Sequence, residues 1–297
     1  MIQHAVQEPQ VVARHRLYNR LRKIILSLLS HVILTAVAVL FIIPFLWLVI
    51  TSLKPLDQVF TEPPRWIPEP IMWQNYVEAL TSPVFPFLRL LSNTLFYAGV
   101  STVGIVLSSA VVAYAFARME FWGRNILFGI TLATMMLPSI VTLIPTYVLF
   151  RNFGWVGTYA PLIIPHFLGN AFNIFLLRQF MLTVPMELSD AAKVDGAGEF
   201  TILLRVMLPL IKPALLVVAV FHFLYAWNDF MGPLIYLDDA AEYPLTLGLY
   251  AFQTRPGRVQ WHLMMAASLS VTFPLLALFF VAQRYFIEGI ALTGLKG

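Results

Sequence analysis

The sequence contains no cysteine and little charge of either sign. The absence of cysteine excludes a disulfide framework, thiol catalysis and cysteine-bound metal, and leaves the redox compartment open. Charged residues make up 11% of the 297 residues, where a soluble domain carries about a quarter. With 59% hydrophobic residues, a soluble fold would have too few charges to cover its exterior. Three further signatures are missing. No G-x-x-x-x-G-K-[ST] run is present, so this chain has no loop of that type to cradle nucleotide phosphates. No period-2 alternation of a membrane barrel occurs. No acidic partners stand at ligand spacing from His166, His222 and His262, which are scattered over different apolar stretches, so a metal site is not expected.

What is present is apolar length. After a polar start ending in Arg14, Arg16, Arg20, Arg22 and Lys23, no charge appears from Ile24 to Leu53. That run exceeds the ~7–15 residues of a signal-peptide core and reads as an uncleaved first span. Six stretches reach the ~20 residues a crossing helix needs: 28–52, 91–117, 126–150, 157–182, 212–236 and 262–286. A backbone in lipid must satisfy its own hydrogen bonds, so each is expected to be helical. The fold class is therefore all-α, a polytopic bundle with six transmembrane helices. Its expected parts are an N-terminal segment 1–27, a membrane domain 28–286 containing a loop at 183–211, and a tail 287–297. Six crossings place both termini on one side. That side gathers thirteen Lys and Arg against six on the other, which makes it cytoplasmic. Pro44, Pro138, Pro145, Pro161, Pro165 and Pro274 fall inside these stretches and should bend or break helices.

The stretch 183–211 does not suit lipid. It carries Glu187, Asp190, Asp195 and Glu199, which an anionic leaflet would repel. Pro185 and the early acids suit a helix start, and Gly196 suits a left-handed stop. A second helix from about Glu199 would place Phe200, Leu203, Leu204 and Met207 on one side. The first helix offers Leu188, Ala191 and Ala192 between acids, a small, flat face suited to docking in a cleft of another protein. The competing reading is an interfacial linker helix.

Asp190-Ala191-Ala192, Asp195-Gly196-Ala197 and Leu208-Pro209 resemble the EAA loop of ABC importer permeases. The chain departs from that pattern in having Asp190 for the usual Glu and Val206-Met207 before Leu-Pro. Ser52-Leu53-Lys54-Pro55, Asn75-Tyr76, Asn93-Thr94, Ala113-Tyr114-Ala115-Phe116-Ala117-Arg118, Phe175 to Phe180, Trp227-Asn228-Asp229 and the closing Glu288 to Gly297 are similar to the carbohydrate group of that family, notably the second permease of maltose-type and glycerol-phosphate-type systems.

The resemblance implies a permease subunit in a bacterial or archaeal cytoplasmic membrane, not an enzyme. It implies a cytoplasmic ABC ATPase dimer, a second homologous permease, an extracytoplasmic solute-binding protein and a sugar substrate as partners, with no nucleic acid. ATP and Mg would be bound by the ATPases, and this chain would hold no cofactor. Coupling to the ATPase would fall to Glu187, Leu188, Asp190, Ala191, Ala192, Asp195, Gly196, Ala197 and Pro209. The tail would reach between the ATPases, and the outer loop at about 237–261 would meet the binding protein.

Polar groups inside spans are costly and usually face the interior. Asn93, Thr94, Asn170, Asn173, Asn228 and Asp229, with Trp227 beside the last two, are therefore the pathway candidates. Helix–helix hydrogen bonding competes with that role for the polar groups, and an interfacial anchor competes for the tryptophan. An ion-coupled carrier is the alternative function and would need buried mid-membrane acids or inverted repeats; neither is found. An intramembrane enzyme would need a nucleophile–base pair or a carboxylate cluster within the spans, and none stands at a suggestive spacing.

Overall fold

The structure, a computed structural model, describes residues 7–254, 257 and 259–294. Arg255 and Arg258 of the outer charge count, and the last three residues of the expected tail, lie outside the described residues. Among the described residues the fold is helical throughout, with no strand.

Helix α1, Gln7–Ser52, runs unbroken through the expected boundary at residue 27. At 46 residues it is about 69 Å long, more than twice the hydrocarbon core, so it extends well beyond one face. It meets the rest of the molecule mainly along the last helix. A first loop with a short helix α2, Gln74–Thr81, leads to α3, Phe87–Arg118. The motif residues bracket that loop: Asn75 donates through Nδ2 to the carbonyls of Ser52 and Lys54, both at 2.9 Å, and the Ser52 and Tyr76 hydroxyls lie 2.6 Å apart.

Helix α3 is the axis of the bundle. It packs against most of the later helices, and its small residues allow close approach. At Gly104 an added Cβ would stand 2.6 Å from the Phe167 ring.

The expected third span is two helices, α4 at Arg124–Thr134 and α5 at Ser139–Asn152. The break falls before Pro138, which disfavours helical geometry at Leu137 and whose ψ of 133° is extended. The expected fourth span is also interrupted. Helix α6, Ala160–Ile163, gives way to a 3₁₀ turn at Ile164–Leu168, and α7 restarts at Ala171–Thr183. Pro165 and Gly169, at φ 86°, make the break. Its freed groups are met by α3: Ser108 donates to the His166 carbonyl at 3.0 Å, and Asn170 donates from its backbone to the Ser109 hydroxyl at 3.4 Å. Pro44, Pro145 and Pro274 instead stay within helices.

The loop expected at 183–211 holds α8, Glu187–Val194, and α9, Glu199–Ile202. It is called inner, and the opposite end outer, after the sides to which the charge count assigns them. A π-helical turn, Leu203–Met207, joins α9 to α10, Leu208–Leu210. The chain then bends by 81° into α11, Lys212–Asn228, which ends eight residues before the expected limit of span five. Helices α12, Met231–Tyr236, and α13, Leu245–Thr254, cap the other end. Helix α14, Trp261–Gly294, passes the expected boundary at 286 without a break. Among the described residues four helical segments are long and apolar enough to cross a membrane, and a fifth counts if the bent pair is one span.

Three buried clusters hold the bundle. One joins α3, α7, the π turn and α11 beside the inner loop. A second joins α2, α3, α13 and α14, and a third joins α3, α5, α6 and α12.

Candidate functional site

The inner loop owes its shape to local rules. Helix α8 ends in a Schellman motif: Gly196 donates to Lys193 O at 3.0 Å, and Ala197 donates back to Ala192 O at 2.9 Å. The motif requires a left-handed residue, and Gly196 sits at φ 83° with open space around its missing side chain. Its constraint is conformational rather than steric. Pro185 stands just outside the helix, not in its first turn.

On α8 only Ser189 is buried. Leu188, Asp190 and Ala191 are exposed, Glu187 and Asp195 as well, while Ala192 and Ala197 are half-buried against the inner cluster. The two alanines thus divide, one facing outward and one packing inward. The following segment divides too. Leu203 and Met207 are buried, while Phe200 and Leu204 are exposed, at 68% and 46%. The four do not share one side: each i, i+4 pair keeps to its own stripe, and the π turn widens the ladder where they would have merged. Pro209, at the start of α10, is exposed and precedes the bend into α11.

This loop is tied to α3 by charged groups that the sequence did not mark as functional. Glu199 accepts from the Tyr114 hydroxyl at 2.6 Å and pairs with Lys193 Nζ at 2.9 Å. The Tyr114 hydrogen bond first, then the Lys193 ammonium, hold the Glu199 carboxyl below its ordinary range, and the Lys193 pKa is raised in turn. Arg118, buried at the end of α3, donates to the carbonyls of Met181 and Val184 and to Met186 Sδ. Arg178 donates from Nε to Phe116 O at 3.2 Å and lies 4.2 Å from the Phe128 ring centre. The signal was the Ala113–Arg118 motif itself, whose side chains have a task only once α3 and the loop meet.

Away from this end, the pathway candidates separate. Asn93 donates to the carbonyls of Ala241 and Tyr243 at 2.8 and 3.0 Å, so it holds the outer loop. Thr94 accepts from Leu245 N at 2.8 Å and does the same. Trp227 is 1% exposed within the second cluster, out of reach of a solute. Asn228 bonds its own helix at Leu224 O.

Asp229, Asn170 and Asn173 do line space. Asp229 accepts from Tyr97 at 2.8 Å and caps α12 through Gly232 N at 3.1 Å. It edges a cleft of ≈ 360 Å³ shared with Thr146, His166, Tyr225 and Tyr236. Asn170 caps α7, accepting from Phe172 N and Asn173 N at 3.0 and 3.3 Å. With Asn173 it lines a second cleft of ≈ 330 Å³ that also contains His166, His222 and Tyr225. Two of the three histidines scattered in sequence are neighbours here, with the rings of His166 and His222 4.4 Å apart. Among the described residues no group of three or more His, Cys, Asp or Glu could hold a metal ion.

The chain belongs to the family of binding-protein-dependent transport system inner membrane components, which matches residues 104–291. Among its relatives is the trehalose/maltose transport system permease protein MalG of Thermococcus litoralis, 31% identical over 91% of this chain and 96% of that one. The sn-glycerol-3-phosphate transport system permease protein UgpE of Yersinia enterocolitica is 32% identical over 89% and 96%. In fold, the chain is similar to a bacterial ABC transporter that imports the acidic polysaccharide alginate, with a TM-score of 0.80 at 23% identity over 88% and 96% of the two chains. The family is one of transport components rather than enzymes, and the chain is a multi-pass membrane protein.

Proposed function

We propose that this chain is the permease subunit of an ATP-binding-cassette importer for a sugar or related solute. It works beside a second permease, above a dimer of ATPases that bind ATP and Mg. A solute-binding protein delivers the solute from outside. In this reading the chain crosses the membrane six times with both termini cytoplasmic, the broken 124–152 segment making the third crossing.

The observation that carries the reading is the inner loop. Its exposed face presents Leu188, Asp190, Ala191, Phe200 and Leu204 to solvent, while its inner face is locked to α3 through Glu199 and Arg118. A face so exposed and so firmly backed suits the transfer of force from a partner. ATPase closure would carry α8 with it, and α7 and α11, which flank the loop, would tilt. Alternating access then arises from rigid movement, with no chemistry on this chain. Relatives named for sugar and glycerol-phosphate transport support the substrate class.

The test is a crosslinking scan. Single cysteines at positions 188–195, in a chain with none of its own, should join to a co-purifying ATPase from the cytoplasmic side. Labelling of those positions from outside, or transport by the chain alone, would sink the reading. No observation favours the ion-coupled alternative.

A further inference from the structure

Given that reading, the relatives still leave open whether the solute is neutral or anionic. Trehalose and maltose carry no charge, whereas glycerol phosphate and alginate do. The two clefts bear on that choice. They meet at His166 and Tyr225, which line both, so they form one track along the face of α3, α6, α7 and α11. Their volumes fall in the lower part of the ~300–1,000 Å³ range of small-molecule sites.

Three features of the track point to its occupant. First, His222 is 6% exposed, yet its Nε2 has no hydrogen-bond partner in the chain. Buried polar atoms are nearly always paired, so an unpartnered one on a residue that lines a cleft calls for an external partner. Second, no Lys or Arg lines either cleft. Third, the acidic side chain that lines the track offers an anion no donor: the Asp229 oxygens accept, from the Tyr97 hydroxyl and the Gly232 N–H. An anion would enter without a counter-charge from this chain and lose its water. A neutral polyhydroxy ring meets what the track does offer: imidazole, carboxamide and phenol groups for hydroxyls, and flat ring faces for C–H surfaces.

We infer that this permease contributes a solute station of its own, built from His166, His222, Tyr225, Asn170 and Asn173, that accepts an uncharged sugar and disfavours an anionic one.

The experiment uses the complete transporter in proteoliposomes with its binding protein, and radiolabelled trehalose, maltose and sn-glycerol 3-phosphate as probes. Uptake of a neutral disaccharide is expected. His222→Phe should raise its KM about tenfold with a smaller change in maximal rate, and His222→Gln, which keeps a polar group, should stay within about threefold. Uptake preferring glycerol phosphate, uptake of neither disaccharide, or an unchanged KM in His222→Phe overturns the inference. A second readout guards against a misfolded variant. Tyr225→Cys would be the single thiol of the chain, and a transported disaccharide should slow its labelling at least fivefold while glycerol phosphate does not; no protection, or the reverse order, overturns it. If the wild-type chain copurifies with no ATPase, the importer reading itself fails. If ATP hydrolysis is intact and these outcomes are negative, the solute station alone fails.

Discussion

The two ends of α3 are held by different chemistry. At the inner end, Tyr114 and Arg118 bind the loop through charge: the Tyr114 hydroxyl donates to the Glu199 carboxylate, which also pairs with Lys193 within the loop, and the buried Arg118 guanidinium donates to backbone carbonyls. At the outer end, Asn93 and Thr94 bind the loop around 241–245 through neutral bonds to backbone. Charge-assisted bonds are about twice as strong as neutral ones and hold direction better. The inner end is therefore the stiffer joint, which suits the proposed coupling to an ATPase, while the outer end keeps a cap in register.

Substitutions at the two ends should separate these roles. The largest effect is expected from Gly196→Pro, which cannot adopt φ 83° and destroys the stop of α8. Transport should be abolished while membrane insertion, read by fractionation, persists; wild-type uptake would remove the coupling role. Next comes Arg118→Ala. It strips two carbonyls of a charged donor, each bond of that kind contributing about 1.5–3 kcal/mol. Thermal unfolding in detergent should fall by several degrees, and ATPase copurification should weaken.

Thr94→Val tests the outer end. It leaves the buried Leu245 N–H unpaired, at a cost of about 1–3 kcal/mol, but should leave ATPase copurification intact. Loss of the ATPase in this variant would erase the distinction between the two ends.

The smallest effect is expected from Glu199→Gln. Both Lys193 and Glu199 are more than a third exposed, so solvent screening leaves their pair little net worth. The Glu199 carboxyl is held below its ordinary value of 4.5, so its contribution is complete above that pH and is lost as pH falls through the lowered value. Wild type should lose loop stability on acidification below pH 4.5, and Glu199→Gln should lose less over the same interval, as read by proteolysis of the loop.

The inner loop was legible because its signals are local. Gly196 stops α8 by letting its own N–H reach Lys193 O and that of Ala197 reach Ala192 O, only a few residues away. The stripe from Phe200 to Met207 was legible as apolar but not in its direction, because the π turn shifts the register and no propensity announces such a turn. The pathway set was read from residue type alone, which cannot separate Asn93, spent on a loop, from Asn173, which faces a cleft. Trp227 fits a sugar in chemistry and lies in the core in fact.

Composition by itself determined that this chain lives in lipid, since too few charges exist to clothe it in water. Short-range backbone rules determined where the inner helix stops. Only the tertiary structure decided that His166 meets His222 and that Tyr114 reaches Glu199, pairs 56 and 85 residues apart. Such pairs depend on where a span breaks and how it packs on α3 and α11, and that is settled by long-range contact rather than by any window of sequence.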